Sequence, residues 1–265
     1  MLEVKNLSAD TSGGKKLLEG ISFTAQPGSC TGITGPSGSG KTTLLKAILG
    51  VTDETVSITQ GEILLEGADL LKKTAAERRM LCGTELGFIP QNSMTAFNRY
   101  ASVGAQMSET FRKRLGLGKG AAKQLSMEML KSVNLPDTDR IYSACPGQLS
   151  GGMLQRVTMA ILLGLKPRYI LADEPTSALD EKNKQEFLIK QLNQLKESSA
   201  ILFVSHDDGA IRQLCDEVLI LQNGNLVEQD STEQIFANPK NPWTREFAAA
   251  SKNQNERVST WNKSP

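Results

Sequence analysis

An α/β fold built on a mostly parallel sheet is the class this sequence predicts, and three observations predict it. Short apolar strand-like runs alternate with helical patterns along most of the chain. A Gly-rich loop follows one such run and opens a helix. A second apolar run, Tyr169–Ala172, ends on two carboxylates. The N-terminal strands and a late hairpin are expected to add antiparallel pieces.

Taken in order, Leu2–Ser8 and Ile21–Ala25 alternate apolar and polar residues and read as strands. Thr11-Ser12-Gly13-Gly14 between them is a turn signal. Ser29–Thr34 is a third strand leading into the Gly-rich loop. Lys41–Leu49 is helical, with Leu44, Leu45, Ile48 and Leu49 on one face. Gly61–Gly67 reads as a strand bounded by glycines. Ala101–Val133 is Met-, Lys- and Ala-rich, with two helical patterns split by Gly116-Leu117-Gly118, and looks like a helical insertion. Helices are expected over Gly151–Leu163 and Lys182–Glu197, with the buried strands Tyr169–Ala172 and Ala200–Val204 around them. Asn223-Gly224 between Glu217–Leu221 and Asn225–Gln229 is a strong hairpin signal. From Lys252 the chain is polar and is expected to form a mobile tail. No internal repeat is visible, so one catalytic unit is expected and not a tandem pair.

Composition removes several classes. The 265 residues suffice for one large α/β domain or two small ones. A formal net charge of +1 gives no electrostatic case for nucleic acid or for an anionic membrane surface. The run Arg112-Lys113-Arg114 is short and reads as a solvated helix face. Cys30, Cys82, Cys145 and Cys215 lie far apart with no C-x-x-C pair. That spacing fits neither a zinc site nor a disulfide framework, and predicts reduced, mostly buried thiols. No apolar stretch approaches the ~18 residues that cross a bilayer. Met1-Leu2-Glu3-Val4-Lys5 lacks the pattern of a signal peptide. Any membrane work is therefore expected to run through partners.

Gly35-Pro36-Ser37-Gly38-Ser39-Gly40-Lys41-Thr42, continued by Thr43, fits G-x-x-x-x-G-K-[ST] in the required strand–loop–helix context. The glycines let backbone N–H groups turn onto phosphate oxygens, and the helix start adds its positive dipole end. Lys41 can neutralise β and γ phosphates, and the Thr42 hydroxyl can ligate Mg²⁺. At the end of the apolar strand, Asp173 would hold Mg²⁺ through water and Glu174 would act as general base on the attacking water. His206, the one histidine, follows Ile201-Leu202-Phe203-Val204 at the carboxyl end of a core strand. An imidazole there could contact the γ-phosphate and position the water.

Leu149-Ser150-Gly151-Gly152-Met153-Leu154-Gln155-Arg156 resembles the signature of ABC ATPases. With the phosphate loop, Asp173-Glu174, Ser177-Ala178-Leu179-Asp180 and His206, the order and spacing are similar to that family over residues 1 to about 230. The resemblance implies a P-loop NTPase fold: a RecA-like, mostly parallel core sheet, an antiparallel β subdomain and an inserted α-helical subdomain. It divides the chain into an ATPase domain over 1–235, the helical insertion over about 92–160, and a C-terminal extension over 236–265. It also implies that two such subunits pack head to tail around two ATPs, with Mg²⁺. Ser150, Gly151 and Gly152 would then hold the γ-phosphate bound to the opposite subunit, and Asp180 would lie at the seam. Gln91 resembles the family's glutamine between core and helical subdomain, which senses Mg²⁺ and the γ-phosphate. The stretch Asn92–Tyr100 would face a membrane subunit.

Finer matches point to a branch. Gln91–Asn98 and Ile235–Thr244 are similar to segments of the dipeptide, oligopeptide and nickel importer ATPases, as is the Ser-Gly-Gly-Met-Leu-Gln-Arg form of the signature. That branch implies two membrane permeases, a second related ATPase forming a heterodimer, and an extracytoplasmic solute-binding protein. The chain would sit peripherally on the cytoplasmic face of the inner membrane. The alternative is a non-transport ABC ATPase, such as a phosphonate-degradation accessory subunit. Two departures stand out. Family members carry an adenine-stacking aromatic upstream of the phosphate loop, and Ala9–Lys16 has none. Some peptide-importer ATPases carry a C-terminal cysteine cluster for an iron–sulfur centre; no cysteine follows Cys215, so no such cluster is expected.

Overall fold

The computed structural model describes residues 1–176 and 182–250, with the backbone alone described over 182–187. Two expectations fall outside these residues: the segment Ser177–Asp180 and the tail from Lys252. The chain forms two compact units, Met1–Lys73 together with the chain from Leu202 onward, and Thr74–Ile201.

In the first unit, β1 (Leu2–Thr11) pairs antiparallel with β2 (Lys16–Ala25), β3 spans Cys30–Thr34, and α1 spans Lys41–Leu49. Next come β4 (Val56–Leu65), antiparallel to β1, and the short β5 (Ala68–Asp69). Together they give a four-stranded antiparallel sheet in the order β2-β1-β4-β5. Leu2, Val4, Leu7 and Ala9 face its buried side, while Lys5 is exposed, the alternation expected of a half-buried strand. The strand expected over Gly61–Gly67 is longer at its start than those glycines mark. The β4 strand starts at Val56 and runs through Gly61, because the long β1 pairs with it along its whole length. A bulge there lets Gly61 sit at φ 100, where an added Cβ would meet Asn6 O at 2.5 Å.

The second unit contains α2 (Ala75–Leu81), β6 (Leu86–Ile89), α3 (Val103–Leu115), α4 (Lys119–Ser132), α5 (Thr138–Ser143), α6 (Gly151–Leu165), β7 (Tyr169–Asp173) and α7 (Lys182–Lys196). The split at Gly116-Leu117-Gly118 falls where predicted: Gly116 ends α3 in the left-handed conformation and Gly118 precedes α4. The helices close around Phe111, which is fully buried and lies against Gly164 of α6, where an added Cβ would meet its ring at 2.6 Å. Arg112 and Lys113 are solvated as expected, but Arg114 is half-buried and donates to Met80 O at 3.3 Å. β6 and β7 run parallel, from Leu86↔Tyr169 to Ile89↔Ala172.

β8 (Ala200–Val204) begins in the second unit, where the Ala200 amide donates to Arg168 O at 2.8 Å. It ends in the first unit, where the Ser205 amide donates to Ile33 O at 3.2 Å. After α8 (Asp208–Leu214), β9 (Glu217–Gln222) runs parallel to β3 and turns into the antiparallel β10 (Asn225–Ser231). The turn residues Asn223 and Gly224 have φ 50 and 80, both left-handed, as a two-residue hairpin of this hand requires. α9 (Thr232–Ala237) and a helical run at 242–250 complete the unit. β3, β7 and β8 are buried at every position, which is why β8, and β7 up to Asp173, read as continuous apolar runs and do not alternate.

Among the described residues no helix is long and apolar enough to cross a membrane.

Candidate functional site

The phosphate loop joins β3 to α1 inside the first unit, and backbone geometry explains its sequence. Gly35, Gly38 and Gly40 have φ 148, 76 and 103. A Cβ on Gly35 would lie 1.9 Å from Leu221 O, and one on Gly40 would lie 2.6 Å from Leu17 O. These two positions accept only glycine, because the loop is wedged between two strands. The hairpin turn braces it further: the Gly224 amide donates to Ser39 O at 3.1 Å, and its carbonyl accepts from the Glu19 amide at 2.8 Å. The turn that sequence marked only as a hairpin is therefore a support of the loop.

Lys41 is buried and donates to Gly35 O and Pro36 O, each at 2.9 Å, so its ammonium is folded over the loop's own backbone. Pro36 is half-buried, and Ser37, Gly38 and Thr42 are exposed, with Thr43 half-buried. The Ser39 and Thr34 hydroxyls are buried without a hydrogen-bond partner among the described residues. Glycine amides and a lysine are donors of the kind a polyphosphate needs.

His206 is exposed at the end of β8, beside the β3 end that feeds the loop. Its neighbours fix the backbone there. The Ser205 hydroxyl accepts from the Asp207 amide at 3.0 Å, and the Asp207 carboxylate caps α8 by accepting from the Ala210 amide at 2.9 Å.

In the second unit, Asp173 is buried as the last residue of β7. Glu174 follows with φ 46, a left-handed conformation uncommon for a non-glycine residue. Its carboxylate accepts from Gln91 Nε2 at 3.0 Å, although 83 residues separate the two. Sequence placed Gln91 and Glu174 in separate motifs; the parallel β6–β7 ladder brings the two strand ends together. Gln155 of α6 was read only as part of the signature. It is buried and donates to Pro175 O, tying the signature helix to the segment just after Glu174. Ser150 caps α6, accepting from the Met153 amide at 3.3 Å; it and Gly151 are exposed, Gly152 half-exposed, and an added Cβ on either glycine would meet nothing within 4 Å.

No group of three or more His, Cys, Asp or Glu residues able to hold a metal occurs among the described residues. The Thr42 hydroxyl of the first unit and the Asp173 carboxylate of the second are each a hard oxygen donor, the ligand type that Mg²⁺ takes.

Comparison with known proteins decides the family. The ABC transporter family model matches residues 18–177. The chain belongs to the ABC transporter ATPase family. This ABC ATPase is 33% identical over 258 residues to the metal-staphylopine import system ATP-binding protein CntD of Staphylococcus aureus strain Mu50, covering 97% of this chain and 95% of that protein. It is 36% identical over 250 residues to the oligopeptide transport ATP-binding protein OppD of Bacillus subtilis strain 168, covering 92% of this chain and 70% of that protein. Among solved structures, it resembles a dimeric ATP-binding cassette bound to ADP and Pi in a post-hydrolysis state. There the TM-score is 0.75 at 25% identity, covering 88% of this chain and 99% of that one. The ABC ATPase is thus an ATP-binding, ATP-hydrolysing enzyme with the α/β cassette fold that the sequence predicted.

Proposed function

We propose that this ATPase energises import of a peptide, nickel or a metal chelate through two membrane permeases, with a second related ATPase and an extracytoplasmic solute-binding protein completing the system. It would work peripherally at the cytoplasmic face of the inner membrane. Similarity that runs through 97% of the chain to a metal-chelate importer ATPase, and well beyond residues 18–177, supports the branch. In this reading residues 1–235 are the ATPase domain, with the helical insertion over about 92–160, and 236–265 are the branch-specific extension.

The observation that carries the chemistry is the hydrogen bond from Gln91 to Glu174. Glu174 takes the proton of the attacking water, and the left-handed backbone at its position aims the carboxylate. Gln91 donates to that carboxylate, so it would report on whether the base is engaged, and its side chain could also serve Mg²⁺ when the ion is bound. Lys41 and the loop amides of Gly35–Thr43 hold the phosphates. Thr42 and Asp173 would hold Mg²⁺, which would offset charge on the β and γ phosphates. His206 contacts the γ-phosphate, and Ser150, Gly151 and Gly152 close over the nucleotide of the partner subunit.

Glu174→Gln tests this directly. Turnover should fall about 10²–10⁴-fold, the range for loss of a general base, with ATP affinity by titration unchanged. Turnover within a few-fold of wild type would remove Glu174 from the role.

A further inference from the structure

Cys30 and Cys215 are 185 residues apart, yet both are buried and their Sγ atoms lie 3.5 Å from each other within the first unit. The approach is built and not incidental. Cys30 and Gly32 occupy one face of β3, two residues apart. Gly32 leaves the space in which the Cys215 side chain lies: an added Cβ there would meet Cys215 Sγ at 3.1 Å.

The backbone on both sides is fixed. The Cys30 amide donates to Asp216 Oδ2 at 2.7 Å, and the Asp216 amide donates to Cys30 O at 2.8 Å. The Cys215 amide donates to Ile211 O at 2.9 Å at the end of α8, and Cys215 O accepts from the Thr232 hydroxyl at 2.7 Å. A disulfide needs Sγ atoms about 2.05 Å apart, so side-chain rotation or a small movement must close only about 1.5 Å.

We propose that Cys30 and Cys215 form a reversible oxidation site of this ATPase, a dithiol that hydrogen peroxide converts to an intramolecular disulfide. The balance is simple. One thiolate attacks a peroxide oxygen, the O–O bond breaks, and a sulfenic acid and hydroxide result. The second thiolate attacks the sulfenic sulfur, forming the S–S bond and expelling its oxygen. Two thiols and one peroxide thus give one disulfide and two waters. A dithiol reductant reverses it by exchange. In a reducing compartment such a disulfide is transient, which is the setting in which cysteine pairs report oxidation.

The test uses the full chain carrying Cys82→Ser and Cys145→Ser, so that the pair supplies every remaining thiol. The folded protein is treated with hydrogen peroxide, quenched, and measured by intact mass and by alkylation after unfolding. The expected result is loss of two hydrogens, no alkylatable thiol, a linked peptide joining Cys30 to Cys215, and full recovery with dithiothreitol. Cys215→Ser in the same background should instead gain oxygen or react with the alkylating reagent at Cys30. Both thiols still alkylatable, or both carried separately to sulfinic acids, would overturn the proposal. Peptide mapping of the wild-type chain, which needs no substitution to fold, gives the same two outcomes.

Discussion

At the scale of single residues, the site depends on what a position forbids as much as on what it supplies. Gly35 shows this most sharply. Its φ of 148 and the 1.9 Å that would separate a Cβ from Leu221 O leave no conformation for another residue, because the obstacle is backbone and not a movable side chain. Gly35→Ala should destabilise the chain by about 1–3 kcal/mol through overpacking and should also weaken ATP binding, since the loop must shift off β9 to make room. Thermal melting and nucleotide titration read the two effects separately; an unchanged melting temperature would mean that the loop is less tightly wedged than its geometry requires. Glu174 obeys a different logic. Its left-handed backbone is tolerated in a non-glycine residue, and a strained position beside a hydrogen-bonded glutamine is where chemistry is expected to reside.

At the scale of elements, the C-terminal part of the first unit is held by one carboxylate. Glu228 of β10 is buried and accepts from the Lys240 amide at 2.8 Å and the Asn241 amide at 3.0 Å. Around this clamp Lys240 pairs with Asp230 at 2.9 Å, Trp243 stacks on Phe247, Phe247 packs against Phe236, and Arg212 lies 3.6 Å over the Phe236 ring. The segment Asn238–Trp243, which sequence flagged only by resemblance, thus includes the very amides that Glu228 receives. Burial pushes the Glu228 carboxyl up, but the two amides and the Lys240 charge outweigh it and hold it below the ordinary glutamate range.

A depressed carboxyl stabilises the folded chain fully above the pKa of the unfolded glutamate, and the gain is lost as pH falls through the lower folded value. Glu228→Gln should therefore cost about 1–3 kcal/mol near neutrality, where one amide loses its acceptor, and progressively less in acid. Melting temperatures of both proteins across that pH range check it; a gap that stays constant into acid would show that the charge on Glu228 does not matter.

At the scale of the whole molecule, the proposed working form is a heterodimer, and the chain alone should turn over ATP poorly. Ser150 and Gly151 are exposed at the start of α6, where Ser150 caps the helix, and that exposure leaves them open to a partner's nucleotide in the proposed heterodimer. Ser150→Arg should leave ATP binding to this chain nearly intact and cripple hydrolysis at the partner's site. Purified alone, with Glu174→Gln to hold the closed state, the chain should run as a monomer in the presence of ATP. A stable homodimer whose wild type turns over ATP cooperatively would overturn the heterodimer.

The sequence by itself determined the family, the phosphate loop, the carboxylate pair and the order of the main helices and strands. These are legible because a phosphate cradle demands specific residues at fixed local spacing, and because β8 and all of β7 before Asp173, buried at every position, are continuous apolar runs. What only the tertiary structure decided are the pairings between distant residues: Gln91 with Glu174, Gln155 with Pro175, Gly224 with Ser39, Glu228 with the Lys240 amide, and Cys30 with Cys215. Each joins residues that no local pattern connects. Spacing could exclude a C-x-x-C pair, but it could not foresee that parallel β3 and β9 would bring two cysteines together. Local pattern fixes what an element is; strand order and register fix which side chains meet.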